Sequence, residues 1–110
     1  MFNANLKRGS MELLILSTLE NRTRHGYEIG KFLEEQSRGR LEFRVSTLYT
    51  VLYRMEKRRW ITGRWVEKPG ERRRCYYKLT SAGNKVLASQ KEEWEAFSSM
   101  VNQLIGVSHA

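Results

Sequence analysis

From Leu87 onward the chain marks one stripe in alternating steps of three and four residues: Leu87, Gln90, Trp94, Phe97, Val101 and Leu104. Alternating threes and fours keep a stripe on one side of a helix, and about two and a half heptads of it form a coiled-coil-like seam. Thr80 opens the segment as a hydroxyl-bearing cap, and the pattern runs to about Ile105. At 1.5 Å per residue that helix is roughly 38 Å long. A chain of 110 residues builds one domain with one modest core. Such a domain is too small to cover a helix of this length. The seam therefore predicts two copies whose helices cover each other, with Leu87, Trp94, Phe97, Val101 and Leu104 on the shared face.

The rest of the chain reads as three shorter helices and a hairpin. Residues 1–8 are expected to be a flexible N-terminal arm. Met11, Leu14, Ile15 and Leu19 keep helical spacing, widened by Leu13 and Leu16, and predict a first helix from about Gly9 to Asn21. A helix apolar over so much of its circumference touches more than one neighbour. Ile29, Phe32 and Leu33 give a second helix from about His25 to Gln36, stopped at Ser37-Arg38-Gly39. Leu41 to Val45 alternates and fits a short strand or an extended connection. Ser46 is expected to cap a third helix ending near Arg58, with Leu48, Val51, Leu52 and Met55 inward. Trp60-Ile61 is expected to turn into the core. Two strand-like runs, Gly63 to Glu67 and Arg73 to Leu79, flank a Pro69-Gly70 turn and predict a β-hairpin. The fold class is mainly α with a small β-hairpin. Residues 9–79 form the domain and 80–110 the C-terminal dimerisation helix.

Charge separates these segments. Residues 1–37 carry five basic and five acidic side chains, residues 38–78 carry thirteen and four, and residues 79–110 carry two and three. The net charge of +8 is therefore an excess concentrated in the middle third. A concentrated basic surface on a small domain suggests a polyanion, either nucleic acid or an anionic membrane surface, rather than an ordinary solvated face. A single cysteine, Cys75, excludes an intramolecular disulfide. Cys75 alternates with Tyr77 and Leu79 and reads as a small inward-facing side chain. The two histidines, His25 and His109, lie too far from it in sequence to suggest a zinc site. His25 begins a helix and reads as a packing or capping residue. No nucleophile–base set or phosphate-cradling loop suggests an enzyme. No secretory leader or apolar run of membrane-spanning length is seen, so the expected location is the cytoplasm, with association to the nucleoid through DNA.

The second and third helices, joined by a short connection, fit a helix-turn-helix, although eight residues exceed the minimal turn. The third would then be a recognition helix, its apolar stripe inward and Thr47, Tyr49, Thr50, Tyr53, Arg54 and Lys57 free to enter a major groove. Hydroxyls and phenols there can bond phosphates or base edges, and Arg54 and Lys57 can neutralise phosphates. Lys68, Arg72, Arg73 and Arg74 make the hairpin basic and able to reach the backbone. Tyr49 and Tyr53 equally suit packing over neighbouring apolar surface. A module whose basic hairpin binds an acidic protein would share the charge, and structured-RNA binding would too but lacks a recognisable RNA motif.

Three stretches carry a family resemblance: His25-Gly26-Tyr27-Glu28-Ile29; Ser46-Thr47-Leu48-Tyr49 continuing through Leu52, Arg54, Met55 and Glu56; and Arg72-Arg73-Arg74 followed by Tyr76-Tyr77, Leu79-Thr80 and Gly83. Together they resemble the signatures of PadR-like transcriptional regulators over about residues 9–105. The length and the single long C-terminal helix are similar to the short subgroup that includes the lactococcal multidrug-binding regulator. The resemblance implies a winged helix-turn-helix, a homodimer joined through the first and last helices, with Leu14 of the first at the interface, and repression of a nearby operon. It implies duplex DNA contact by Tyr27, Ser46, Thr47, Tyr49, Tyr53, Arg54 and the hairpin arginines. It also implies a small aromatic effector at the dimer interface near Trp94, with Met11 and Ile15 as further lining residues. Thr50 stands where many relatives carry proline, and Ser98 where the multidrug-binding relative carries an acid.

Overall fold

Most elements begin and end on local signals that the side chains themselves supply. The structure, a computed structural model, describes residues 4–107, and side chains from residue 9 onward. The order is α1 (Ala4–Thr18), β1 (Arg24–His25), α2 (Gly26–Gln36), α3 (Val45–Lys57), β2 (Ile61–Val66), β3 (Arg74–Leu79) and α4 (Ser81–Ile105).

Residues 4–8, expected in the arm, belong to α1; residues 1–3 lie outside the described part. The helix continues through Gly9 and Ser10, each costing about 1 kcal/mol or less against alanine. It stops at Thr18, short of Asn21, where Ser17 and Thr18 hydroxyls donate to the carbonyls of Leu14 and Ile15 at 2.6 and 2.7 Å. Arg24 Nε donates to the freed Thr18 carbonyl at 2.8 Å. In this way the loop after α1 is tied to its last turn.

α2 opens on the geometry of a capping box: His25 N–H donates to Glu28 Oε1 at 3.1 Å, and Glu28 N–H points at His25 Nδ1 from 3.4 Å. It ends as expected at Ser37, with Gly39 left-handed at φ 81° and its N–H donating to Glu34 O at 2.8 Å. Residues 37–44 are an irregular connection, so the alternation of Leu41 to Val45 marks no strand. Ser46 does not cap α3. The helix already begins at Val45, behind an extended Arg44 (φ −65°, ψ 141°) that offers no side-chain bond. Ser46 lies inside the first turn, where its carbonyl accepts from Thr50 Oγ1 at 2.8 Å.

The hairpin pairs Ile61 with Leu79 through to Val66 with Arg74. Its turn is closed by Glu71 N–H donating to Lys68 O at 3.0 Å, with Gly70 at φ 77° after Pro69, as a Pro-Gly turn requires. A third strand was not expected from the sequence. β1 pairs Arg24 with Tyr77 and His25 with Tyr76, giving an antiparallel sheet of order β1-β3-β2. This places the α2 N-terminus against the hairpin.

One core joins all four helices: Met11, Ile15, Leu16 and Leu19 of α1 and its end, Ile29 and Leu33 of α2, and Leu48, Val51, Leu52 and Met55 of α3, with Ile61, Tyr77 and Leu87 closing it. Burial pushes the Tyr77 phenol and the Cys75 thiol upward from their ordinary pKa values. Trp60 packs partly against the core and Ile61 is inside it. Thr80 caps α4 by accepting from Gly83 N–H at 3.0 Å, and its hydroxyl donates to Arg59 O at 2.6 Å. Gly83 lies against the Trp60 carbonyl with no room for a Cβ. Beyond Leu87 the helix leaves the core, and the molecule measures 56 × 30 × 23 Å. Among the described residues no helix is long and apolar enough to cross a membrane, and no three His, Cys, Asp or Glu side chains gather to hold a metal.

Candidate nucleic-acid interface and adjoining groove

The buried stripe of α3 determines what its other side offers. With Leu48, Val51, Leu52 and Met55 inward, Ser46, Thr47, Tyr49, Thr50, Tyr53, Arg54 and Lys57 are all exposed. Lys57 lies over the Tyr53 ring at 5.4 Å, and Lys31 over the Tyr27 ring at 5.8 Å, so each phenol stands beside a cation one turn on. Tyr49 is less free, because its phenol rests on Gly26 at the start of α2, where any side chain would collide with it. All thirteen basic residues of the segment 38–78 are exposed.

Of the three hairpin arginines, Arg72 and Arg74 line one small pocket with Lys68 and Tyr76, and Arg73 is set apart from them. Arg72 and Arg73 precede β3, and Arg74 is its first residue. Arg73 packs its guanidinium 4.6 Å from the centre of the exposed Trp65 ring and lies 3.7 Å from Glu67. Arg74 turns instead toward His25, with Nη1 at 2.9 Å from Nε2. Trp65 is a surface residue that the sequence reading passed over. Its only signal was an aromatic residue on a strand beside an arginine-rich one.

A groove of about 1000 Å³ runs between α1, α3 and α4. Met11, Trp94 and Phe97 line one side, and Thr47, Thr50 and Arg54 of α3 line the other. Residues chosen for DNA and residues chosen for a ligand thus share one groove. Gln90 and Glu93 also line it, and Gln90 Oε1 is buried without a hydrogen-bond partner among the described residues. Ile15 has no exposed surface and Leu87 keeps 2%; both belong to the chain's own core, so Ile15 cannot line the groove nor Leu87 present a surface to a second copy. Leu14 packs partly against that core. Trp94 (49%), Phe97 (56%) and Leu104 (76%) are exposed, and Val101 is partly so. Ser98 donates to Glu95 O at 3.3 Å, back into its own helix.

A family model described as "Transcriptional regulator PadR-like family" matches residues 15–89. The chain belongs to the PadR-like family. The match ends before Trp94, so the distal part of α4 lies outside it. Among solved structures, a transcriptional regulator from Clostridium thermocellum is 30% identical, with 94% of this chain and 97% of that one covered, at a TM-score of 0.85. A PadR family transcription regulator from Clostridium difficile is 33% identical over 88% and 99% of the two chains, at 0.77. PadR of Bacillus subtilis, solved in complex with operator DNA, is 22% identical over 73% of this chain and 45% of that one, at 0.66, and shares the fold. The chain is a PadR-like transcriptional regulator with the winged helix fold: the β2–β3 hairpin is the wing and α4 the long C-terminal helix.

Proposed function

We propose that this regulator is a homodimeric repressor that binds duplex DNA with α3 in the major groove and the wing beside it. The observation that carries this reading is α3 itself. Its stripe of Leu48, Val51, Leu52 and Met55 is spent on the core, and its outward face, after an exposed Val45, presents hydroxyls, phenols and cations at helical spacing. The shared fold with a regulator solved on its operator supports the same placement. Ser46, Thr47, Thr50, Tyr53 and Arg54 then face the groove, with Tyr49 at its edge, and Tyr27, Lys57, Arg72, Arg73 and Arg74 reach phosphates. Two copies joined through α1 and α4 would cover Trp94, Phe97, Val101 and Leu104 and set two recognition helices about 34 Å apart.

The groove beside α3 suggests how such a dimer releases DNA. A flat aromatic ligand on Met11 and Trp94 would press on the helix side that carries Thr47, Thr50 and Arg54. A donor group on it would satisfy Gln90 Oε1, and a positive charge would suit Glu93. A ligand shifts the equilibrium only as far as it prefers the DNA-free arrangement. The test is a titration of a labelled duplex from the gene's own upstream region against a scrambled one, over a range of salt. The reading expects preference for the upstream region and an affinity that falls steeply with salt. Equal binding of both duplexes, or no salt dependence, would overturn it.

A further inference from the structure

His25 stands where the α2 cap, β1 and the wing meet. Its ring is buried, edge-on to Tyr76 at 5.3 Å and stacked with Tyr27 at 6.4 Å. Three polar neighbours compete for its two nitrogens. Glu28 N–H lies 3.4 Å from Nδ1. Arg74 Nη1 lies 2.9 Å and Glu28 Oε1 3.2 Å from Nε2. Both the backbone N–H and the guanidinium are donors, and each needs a lone pair. A neutral imidazole has one lone pair and one N–H. With the lone pair on Nε2, the ring accepts from Arg74, while its Nδ1–H faces Glu28 N–H donor to donor and the lone pair faces Glu28 Oε1. With the lone pair on Nδ1, it caps α2, and its Nε2–H donates to Glu28 Oε1 and faces Arg74 donor to donor. The short contact to Arg74 and the long one to Glu28 N–H favour the first arrangement in the DNA-free protein.

We infer that His25 is a positioning residue for the wing, holding Arg74 against the α2 N-terminus in the free protein and giving it up to a DNA phosphate as the ring's proton passes from Nδ1 to Nε2. This rests on the DNA-binding reading above. The exchange moves one proton within one ring through solvent and leaves the neutral ring neutral. It couples two separate contacts. When a phosphate takes Arg74, Nδ1 is free to complete the α2 cap, which firms the turn that carries the exposed Tyr27. A doubly protonated ring cannot accept from Arg74 at all, so protonation also releases it. The charged and titratable groups around the ring are Glu28 with its partner Arg22 at 3.6 Å, Tyr27 on α2, and Arg74 and Tyr76 on β3, while Arg24 on β1 is engaged by the Thr18 carbonyl and the Phe32 ring. Burial, outweighing the carboxylate of Glu28, holds the ring's pKa below its ordinary 6.5, and Arg74 lowers it further. A phosphate in place of the Arg74 contact raises it, so at acid pH, where the ring begins to protonate, DNA binding is linked to proton uptake.

The experiment follows the anisotropy of a fluorescein-labelled random duplex of about three helical turns, at fixed salt, as pH falls from about 8 to about 5.5. Wild type is expected to gain about three- to tenfold in affinity over that range. His25→Asn keeps a capping oxygen, does not titrate and is too short to reach Arg74; it should fold normally and show no such gain. A gain kept in His25→Asn, or absent from a wild type that binds DNA, overturns the inference. A second arm needs no DNA. Nitrogen chemical shifts should place the His25 proton on Nδ1 in the free wild type and on Nε2 in Arg74→Ala; an unchanged tautomer overturns the inference. The other histidine, His109, is assigned by its persistence in His25→Asn. Failure of wild type to bind any duplex, with the tautomer change present, would instead count against the DNA reading.

Discussion

α3 and α4 carry apolar stripes of similar kind and use them in opposite ways. Every apolar residue of the α3 stripe is inside the subunit, and the helix shows solvent its polar side. On α4 only Gly83 and Leu87 are buried, and from Trp94 onward the stripe is exposed except for a partly buried Val101. The difference follows from length. α3 spans 13 residues and lies within the reach of α1, α2 and β2; α4 spans 25 and outruns the domain. An apolar stripe therefore states that a face will be covered, and the size of the neighbouring domain decides whether the same chain covers it.

Leu52→Ala attacks the α3 side of this comparison. It removes a fully buried side chain and should cost about 3 kcal/mol by urea unfolding, the same at every protein concentration. Gly83→Ala strikes where α4 is rooted. Its added methyl meets the Trp60 carbonyl, so a loss of about 2 kcal/mol is expected, measured in the same way. Phe97→Ser should behave differently from both. It should leave the stability of the isolated subunit within about 0.5 kcal/mol and weaken self-association by about tenfold or more in sedimentation equilibrium. An unchanged mass at all concentrations would break the contrast between the helices. Arg54→Ala should lower the magnitude of the salt slope of duplex binding by about one, whereas Leu104→Ala should leave that slope alone when dimer concentration is held constant.

The smallest expected effect is one of pH. The His25 pKa lies below its unfolded value of 6.5, so the folded state refuses a proton that the unfolded chain accepts. That contribution is intact above pH 6.5 and is lost as pH falls from there toward the folded pKa. Melting temperature should drop slightly over that window in wild type and less in His25→Asn, in scanning calorimetry.

Much of this was readable residue by residue. The stripes of α3 and α4, the Thr80 cap, the Gly39 stop and the Pro69-Gly70 turn depend on neighbours within a few positions, and the structure has them as expected. Local signals also misled. Ser46 has the chemistry of a cap, but the extended Arg44 starts the helix before it. Gly9 and Ser10 look like a boundary, yet α1 runs through them because the penalty is small. β1 was invisible because two residues have no period; they form a strand only by finding Tyr76 and Tyr77, some fifty positions away.

By itself the sequence determined which side of each helix is apolar, where the cations lie, and that one helix exceeds its domain, because these are properties of spacing and chain length. Only the tertiary structure decided that Ile15 and Leu87 belong to the inner core, and that Arg73 and Arg74, adjacent in sequence, go to Trp65 and to His25. It alone brought Trp94 into one groove with Thr47, Thr50 and Arg54. Each of these is a meeting of residues far apart in the chain, settled by which packing the whole core permits rather than by any local pattern.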